Sequence, residues 1–528
     1  MDEISLSFPA AGCDVSQAFG KQPNRPVLGK YSRTTPLGRN VRTFDSQGRS
    51  RGGNRQGIEK YIAARPGDVE YITQHLAVLT VTGEVPVQPS QSGRDVRLIA
   101  ISQGNSHYVS AGGSTWTTAT NNTGVTPPLN ITGLMQSSVN NQLLFFADGT
   151  NWVYYDPVAD ALETWTATAG ELPVDADDNK PRLTCTWRGR TVLSGLLLDP
   201  TNIFMSKVSD PFNFDYFPPL PIDPSAAWAG NVGPQGKTGD VVTALIPYSD
   251  DQLILGMDSS IAIFRGDPNA GGQIDLVTTS IGIAWGNAFA MDSAGIIYFF
   301  SNRTGIFAFV PGAQPQRISQ SIDNLLRDVD TGEYGILLQW NDRFQQLHCW
   351  ITLLSTPMAT THFVWEKRAN AFWQDTFANT DHNPLCCCTF DGNDADDRMA
   401  LIGSFDGYVR SVSSDALDDD GDSIESEVLL GPFLTNLGDS VMLREAQGIL
   451  GETSGEVQYE VLIGLTAEEA LSSTAVASGT WSAGRNFSDV VMRAGYAAYI
   501  RLSSGVPWAM ESIRCLLGSQ GAVRRRGK

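Results

Sequence analysis

Two observations on the sequence predict an all-β protein. Only 18% of the residues are charged, whereas the chain carries 52 glycines, 27 prolines and 9% aromatic residues, a composition that favours strands and tight turns over long helices. From about residue 95 onward, short apolar or alternating runs recur between turns of Gly, Asp, Asn and Pro. A chain of 528 residues is long enough for two or three folding units.

Residues 1–70 predict an extended basic N-terminal arm. They show no sustained periodicity and are rich in Gly, Pro, Asn and Arg, as in KQPNRPVLGK (21–30) and SQGRSRGGNRQG (46–57). Between residues 1 and 65, 11 Lys and Arg stand against 5 Asp and Glu. We expect such a segment to bury too little apolar surface to fold by itself. A short helix-compatible piece follows at residues 68–76.

Residues 71–412 are predicted to form a β-propeller-like body of antiparallel blades. Sets of three or four strands recur at roughly 40–50 residues, which is typical of propeller blades. Strands are expected, for example, at Arg97–Ser102, Leu143–Ala147 and Leu183–Trp187, and Asp148-Gly149 marks a hairpin. At least five such sets follow one another without a long helix. This favours a propeller over the alternative, which is one or two large β-sandwiches.

The last quarter of the chain predicts a separate unit. Residues 413–427 (SSDALDDDGDSIESE) form an acidic, apolar-poor linker. Residues 428–528 contain longer strand-like runs, with one amphipathic helical turn near Ala467–Leu471, and are predicted to form a β-sandwich-like domain. Its basic tail, from Arg514 onward, carries 5 basic and no acidic residues.

The distribution of charge along the chain predicts which kinds of partner it can bind. The formal net charge is −20, but residues 66–513 alone carry 52 acidic and 21 basic residues. Because sequence-independent affinity for nucleic acid comes from Lys and Arg that replace counterions, such a body is expected to repel phosphates. The basic ends are expected either to dock onto acidic partner surfaces or to be solvated termini.

The sequence predicts neither a targeting segment nor a cysteine-based metal site. No stretch approaches the roughly 20 apolar residues of a membrane span, and MDEISLSFPAAG lacks a basic segment followed by an apolar run, so no secretory signal is predicted. The seven cysteines include the consecutive Cys386, Cys387 and Cys388 but no C-x-x-C pair, which disfavours zinc. We expect synthesis in a reducing cytoplasm.

Motifs that suggest chemistry are incomplete. Gly236-Lys237-Thr238 resembles the end of a phosphate-binding loop, but position 231 is Asn rather than Gly and a strand follows. The acidic runs Asp391–Asp397 and Asp415–Asp422 offer calcium-type oxygens without a standard loop pattern, so solvated loops are expected and a non-standard site stays open.

Enzymatic catalysis finds no support in the sequence. The five histidines (His75, His107, His348, His362 and His382) accompany neither a G-x-S-x-G elbow nor an H-E-x-x-H motif. Gly112–Trp116 (GGSTW) lacks the aspartate of a sialidase-type repeat, although paired carboxylates for sugar hydrolysis stay open as a hypothesis. We predict no catalytic, cofactor-binding or metal-ligating residues and no cofactor.

Several strings resemble one family. GRSRGGNRQGIEKYI (Gly48–Ile62) is similar to the Arg/Gly-rich N-terminal stretch of tail nozzle proteins of short-tailed bacteriophages, the tubular tail protein B type. LTCTWRGRTVLSG (Leu183–Gly195), followed by NIFMSKVSDPFNFDYFPP (Asn202–Pro219), looks like a pattern of such proteins. That pattern is an apolar strand, an Arg, a second strand and then Ser…Asp-Pro-x-Asn-x-Asp. IAIFRGDPNAGG (Ile261–Gly272) and DSAGIIYFFSNRTGIFAFVPG (Asp292–Gly312) also fit. The resemblance covers roughly residues 35–330.

The resemblance implies a structural virion tail component rather than an enzyme. It implies a homo-oligomer, most naturally a hexameric ring of propeller subunits, made in the host cytoplasm and placed below the portal and adaptor proteins, with tail fibre or spike proteins as neighbours. Such a ring extends the channel for genome ejection, through which DNA passes without specific binding. The alternatives are a propeller-based receptor-binding or adhesion protein and, third, a glycan-active enzyme.

Overall fold

A computed structural model describes residues 2–520 except positions 7, 46, 67–68, 80–93, 103–104, 111–112, 122–128, 130–134, 221–222, 233–239, 304, 357, 392–397, 435–439, 489–490 and 492. The described chain is all-β, as predicted, and its sheets are almost entirely antiparallel. Among these residues the helices are α1 (Asp323–Leu326), α2 (Ala467–Ser472) and single 3-10 turns at Phe19–Lys21 and Thr380–His382.

The N-terminal segment forms seven short strands that pair with distant parts of the chain. They are β1 (Asp2–Leu6), β2 (Asn24–Val27), β3 (Lys30–Arg33), β4 (Gly38–Arg39), β5 (Val41–Phe44), β6 (Ser50–Asn54) and β7 (Ile58–Lys60). Strands β2 and β3 form one hairpin and β5 and β6 another, whereas β1, β4 and β7 each enter a sheet built from later residues.

Seven four-stranded blades follow within the described ranges. Blade 1 contains β8 (Val69–Leu79), β9 (Arg94–Ser102), β10 (Asn105–Ser110) and β11 (Thr117–Thr118). Blade 2 contains β13 (Gln136–Asn140), β14 (Leu143–Ala147), β15 (Val153–Asp156) and β16 (Ala161–Thr164), with β12 (Thr120–Asn121) added at its edge. Blade 3 contains β18 (Leu183–Trp187), β19 (Arg190–Ser194), β20 (Asn202–Met205) and β22 (Trp228–Asn231). A parallel pair, β17 (Ala169–Gly170) and β21 (Asn213–Phe214), lies beside them.

Blades 4 to 7 repeat the same up-and-down order. Blade 4 contains β23 (Val242–Ser249), β24 (Gln252–Met257), β25 (Ile261–Arg265) and β26 (Gln273–Thr278), and blade 5 contains β27 (Phe289–Met291), β28 (Ile297–Ser301), β29 (Gly305–Phe309) and β30 (Gln316–Arg317). Blade 6 contains β31 (Tyr334–Asn341), β32 (Gln346–Leu353), β33 (His362–Glu366) and β34 (Ala371–Asp375). Blade 7 contains β35 (Pro384–Asp391), β36 (Arg398–Ser404) and β37 (Val409–Val412), and β7 from the N-terminal segment is its fourth strand.

The blades close into a propeller. The first strand of each blade lies at the sheet edge. These first strands contact one another between neighbouring blades from blade 1 to blade 4 and from blade 5 to blade 7, and β35 of blade 7 contacts β8 of blade 1. Blades 4 and 5 meet through a shared apolar cluster that includes Ile246, Ile263 and Phe299. Inner strands of the blades are covered on both faces, so several of them are apolar in nearly every position, as in IYFFS of β28, which is buried throughout.

The C-terminal domain is a two-sheet sandwich. Its strands are β38 (Ser426–Leu434), β39 (Ser440–Leu450), β40 (Val457–Gly464), β41 (Ala477–Trp481), β42 (Gly484–Phe487), β43 (Arg493–Gly495), β44 (Ala497–Ser504) and β45 (Met510–Gln520). One sheet has the order β1-β45-β39-β42, with β43 also on β39. Strands β38, β44, β40 and β41 form the other, and residues of both sheets, such as Trp481 and Ile513, share one core.

A single nine-stranded sheet joins the propeller to the sandwich. Its order is β31-β32-β33-β34-β4-β38-β44-β40-β41. Strand β4 makes the junction, because Arg39 pairs in parallel with Gln374 of blade 6 and antiparallel with Glu427 of the sandwich. The N-terminal segment therefore holds the two domains together.

The structure corrects three expectations about local structure. The described part of residues 1–70 is not a free arm, because its strands belong to the sheets of blade 7 and the sandwich and Val41 and Ile58 are buried. The helix-compatible piece at 68–76 is strand β8, paired with β9. The linker 413–427 is partly buried, and Asp419 is fully inaccessible to solvent.

Candidate functional site

The Arg/Gly stretch at residues 48–57 builds the wall of a cleft of about 310 Å³. The hairpin of β5 and β6 forms one side, and residues 414–417 and 507–509 form the others. Two glycines allow this close packing. A Cβ on Gly52, whose φ is +75°, would lie 2.1 Å from Cγ of Phe8, and a Cβ on Gly53 would lie 2.2 Å from the carbonyl oxygen of Trp508.

The rim of this cleft carries arginines that already have carboxylate partners. Arg49 Nε donates to Asp45 at 2.7 Å, and Arg51 Nη2 donates to Glu511 of β45 at 2.8 Å. The cleft is therefore close to neutral. Its chemistry is that of a polar groove able to hold an extended chain or a small polar group, not that of a phosphate cradle.

Beneath the cleft lies a buried ionic cluster. Arg42 donates two hydrogen bonds to Asp375 of β34, at 2.8 and 2.5 Å, and Arg55 donates two to Asp419, at 2.8 and 2.6 Å. All four side chains are at most 3% exposed. Burial alone would raise the pKa of Asp375, but Arg42 and Arg55 hold it below its usual value.

Two buried histidines adjoin this cluster. The ring of His348 stacks on Trp350 at a centroid distance of 5.0 Å, and neither of its nitrogens has a hydrogen-bond partner among the described residues. Burial, reinforced by the charge of Arg42, lowers the pKa of His348 to about 3.

His362 is anchored as well as buried. Its Nδ1 accepts from the backbone N–H of Ile351 at 3.1 Å, and its Nε2 lies 2.9 Å from Oδ1 of Asn383. Burial lowers the pKa of His362 to about 4. Both His348 and His362 are thus neutral core side chains at pH 7.

Two carboxylates of the acidic run at 415–422 form ion pairs with basic residues of the N-terminal segment. Asp419 accepts from Arg55, and Asp420 pairs with Lys60 at 3.2 Å and with Arg410 of β37 at 2.8 Å. These carboxylates are neutralised by basic groups that would repel a calcium ion. Across the described ranges, no group of three or more His, Cys, Asp or Glu side chains is arranged to hold a metal ion.

Other sequence motifs fall outside the described residues. These are Gly236-Lys237-Thr238, the greater part of Asp391–Asp397, and Arg524, Arg525 and Arg526 of the basic tail. Of the three consecutive cysteines, Cys386 is buried in β35, and burial raises the pKa of Cys387 to about 12. Cys387 thus remains a thiol at neutral pH.

Most of the basic residues between positions 1 and 65 pair with acidic residues of the same chain. Besides the pairs at Arg42, Arg51, Arg55 and Lys60, Arg25 pairs with Asp14 at 2.5 Å and Arg39 with Glu427 at 3.0 Å. Much of the positive charge at this end is therefore neutralised within the chain, and docking onto another protein stays a prediction. Sequence reasoning missed these pairs because their partners lie up to 460 residues apart along the chain.

Comparisons with known proteins give only distant likenesses. No protein-family model matches the chain, and no curated protein matches it. Among solved structures, YCF48 bound to D1 peptide is 11% identical, with 69% of this chain and 96% of that chain covered and a TM-score of 0.38. An inactive virginiamycin B lyase from Staphylococcus aureus is also 11% identical, with 64% and 98% covered and a TM-score of 0.38.

A chain of the mitotic checkpoint complex gives a similar result. It is 10% identical, with 64% of this chain and 100% of that chain covered and a TM-score of 0.37. At such scores the comparisons carry no argument about activity or partners. Within the described residues, no helix is long and apolar enough to cross a membrane.

Proposed function

We propose that this chain is a structural subunit of a bacteriophage tail nozzle, assembled as a closed homo-oligomeric ring that extends the DNA channel. The observation that carries the proposal is the nine-stranded sheet, which makes the propeller and the sandwich one mechanical unit through β4. The buried pairs Arg42–Asp375 and Arg55–Asp419 fasten the N-terminal segment, which contains β4, to blade 6 and to the linker that precedes the sandwich. A rigid two-domain subunit suits an assembly that must hold its shape while a genome passes.

The charge balance supports the same proposal. Residues 66–513 carry 52 acidic and 21 basic residues, so a surface made from them disfavours lasting contact with DNA phosphates. The sequence resemblance to tail nozzle proteins supplies the proposed setting: portal and adaptor above, fibre or spike proteins beside, and six subunits per ring.

A propeller that binds a receptor or another protein is the second candidate. It is favoured by the loop between β21 and β22, in which Phe217 is 92% exposed and Leu220 is 84% exposed. Pro218, Pro219 and Pro224 restrict the described part of this loop, so it can present the two apolar side chains at little entropic cost.

Reconstitution separates the two candidates. The full chain is mixed with a purified portal–adaptor complex and measured by mass photometry. A nozzle subunit adds a fixed number of copies to each complex. A chain that stays monomeric on every such template, but binds cells or glycans through Phe217 and Leu220, would instead be an adhesion module.

A further inference from the structure

A cavity separate from the cleft described above lies at one end of blades 4 and 5, and its volume is about 470 Å³. Turns within these two blades and connections between blades supply its polar and aromatic lining: Asp240, Asp258, Trp285, Asn302, Arg303 and Thr331. Because the strands of a blade alternate in direction, these segments all meet at the same end of the propeller. We call this cavity the blade 4–5 pocket.

One carboxylate holds the turn between β24 and β25 in place. Asp240 accepts from the backbone N–H of Ser259 at 3.1 Å, from the hydroxyl of Ser259 at 3.0 Å and from the hydroxyl of Ser260. The backbone N–H of Asp258 in turn donates to the carbonyl oxygen of Val241 at 3.0 Å. The oxygens of Asp240 are thus used within the chain, and their bonds fix the position of Asp258 at the pocket.

Asp258 and Arg303 are two exposed polar groups of the pocket wall. Their side chains are 49% and 61% exposed, and Nη2 of Arg303 lies 3.8 Å from Oδ2 of Asp258. The two groups form an ion pair, but this distance is too long for a hydrogen bond. Their charges therefore offset each other, while Oδ2 and the guanidinium N–H groups keep their capacity to form hydrogen bonds with a ligand.

Asn302 contributes an acceptor that has no partner. Its Nδ2 donates to Oδ1 of Asp258 at 2.8 Å. Its Oδ1 is covered from solvent and has no hydrogen-bond partner within the described part of the chain. A buried acceptor in this state lowers stability, so a donor that enters the pocket beside Asn302 is favoured.

Trp285 gives the pocket an aromatic side. The residue is half-buried: it packs on the apolar cluster that contains Leu183 and Val242, and it also lines the pocket. A sugar ring has an apolar C–H face and an edge of hydroxyl groups. An aromatic ring beside groups that form hydrogen bonds with hydroxyls therefore matches both parts of a sugar.

We propose that the blade 4–5 pocket binds a neutral saccharide unit. Two neighbouring hydroxyls can accept from the guanidinium of Arg303 and donate to Oδ2 of Asp258, because a hydroxyl is both donor and acceptor. A third hydroxyl can donate to Oδ1 of Asn302, while the C–H face covers the indole of Trp285. An anion would face the carboxylates of Asp240 and Asp258, and a cation would face Arg303, so an uncharged ligand fits best. This binding site goes beyond the proposed function.

Saturation-transfer NMR on the full-length chain tests the proposal. The probes are the methyl glycosides of glucose, galactose, mannose and N-acetylglucosamine, each at millimolar concentration. We expect saturation transfer to at least one of them. Arg303→Ala should weaken that binding at least about tenfold, because it removes a hydrogen bond from a charged donor.

A matched control and a second variant accompany this test. Arg265→Ala removes another partly exposed Arg–Asp pair of blade 4, with Asp275 at 3.0 Å and outside the pocket, and should bind like wild type. Trp285→Ala should weaken binding at least as much as Arg303→Ala. Because Trp285 also packs against the core, its thermal unfolding is compared with that of wild type, and the surface variant Arg303→Ala decides the test if Trp285→Ala does not fold.

Four results would overturn the inference. They are no saturation transfer to any of the four glycosides, binding that is unchanged in Arg303→Ala, binding that is lost equally in Arg265→Ala, and binding that is lost in Phe217→Ala but kept in Arg303→Ala, which would place the sugar on the loop between β21 and β22. The number of copies counted on the portal–adaptor complex is a separate readout. The nozzle proposal and the saccharide site can therefore fail independently.

Discussion

Individual residues matter most where charge is buried. Arg42 and Asp375 form a bidentate pair in which both side chains are at most 3% exposed. The net worth of such a pair is small, because desolvation offsets the attraction, but removing one partner leaves an uncompensated charge in the core. Loss of either partner is therefore expected to destabilise the packing of the N-terminal segment against blade 6.

Substitution of Arg42 tests this point. Arg42→Ala should lower the free energy of unfolding by about 3–5 kcal/mol, because Asp375 stays buried without its partner. The control Arg49→Ala removes a pair whose arginine side chain is 56% exposed, so its cost should be at most about 1 kcal/mol. Chemical denaturation measures both, and equal costs would contradict the assigned role of burial.

The buried histidines predict acid sensitivity. His348 and His362 have pKa values lowered to about 3 and about 4, whereas in the unfolded chain they titrate near 6.5. The unfolded state therefore binds more protons as the pH falls from 6.5 towards 4. The free energy of unfolding should drop by about 1.4 kcal/mol per pH unit for each histidine in this range.

Replacing one histidine isolates its share. His348→Phe keeps the stacking on Trp350 and removes one titrating group, so it should lower the slope of stability against pH between 6 and 4.5 by up to about 1.4 kcal/mol per pH unit. His362, His382 and His107, whose pKa values burial also lowers, continue to contribute to that slope. Asp375 adds its own loss only below the unfolded pKa of an aspartate, near 4. A slope that is unchanged in His348→Phe would show that His348 is not buried as described.

At the scale of elements, β7 has a role out of proportion to its three residues. Ile58 is 2% exposed and packs with Leu337, Trp350, Phe377 and Ile402 of blades 6 and 7. Its strand pairs with β37 and supplies the fourth strand of blade 7. The ring of blades is thus closed by a strand that precedes it in sequence.

Ile58→Ala tests the closure. The cavity should cost about 2–5 kcal/mol and speed hydrogen exchange in β37, because the outer strand of blade 7 is loosened. Glu59→Ala on the exposed side of the same strand should change stability by no more than about 0.5 kcal/mol. Exchange in β37 that is identical in the two variants would contradict the role of β7.

The sequence predicts elements better than their partners. The alternating apolar runs located β14 (Leu143–Ala147) and β18 (Leu183–Trp187) to the residue, and the helical turn near Ala467 is α2. Local pattern suffices there because each of these strands presents at least one continuous apolar face. It fails for β4 and β7, whose sequences GR and IEK contain no strand signal and whose pairing partners lie hundreds of residues away.

For the candidate site, too, the sequence predicts the local segment better than its tertiary contacts. The Arg/Gly stretch was singled out by composition, and it does line the cleft, but the role of Arg42 and Arg55 as buried ions depends on Asp375 and Asp419, which no local motif links to them. Likewise, the acidic character of the linker can be read from the sequence. That its carboxylates pair with Arg55 and Lys60 follows only from the tertiary fold.

On the scale of the whole molecule, the chain is a closed propeller fixed to a sandwich, with most of its N-terminal positive charge neutralised internally. A ring of such subunits, as proposed above, is built from head-to-tail contacts, which close only at a fixed rotation between neighbours.

Electron microscopy of the chain reconstituted on a portal–adaptor complex tests the central claim most directly. The account predicts a closed ring below the adaptor, with the same number of copies in every particle, the nine-stranded sheet intact in each copy, and a continuous axial channel. Particles in which the chain is absent from the axis, or sits singly at the periphery as an appendage, would contradict it.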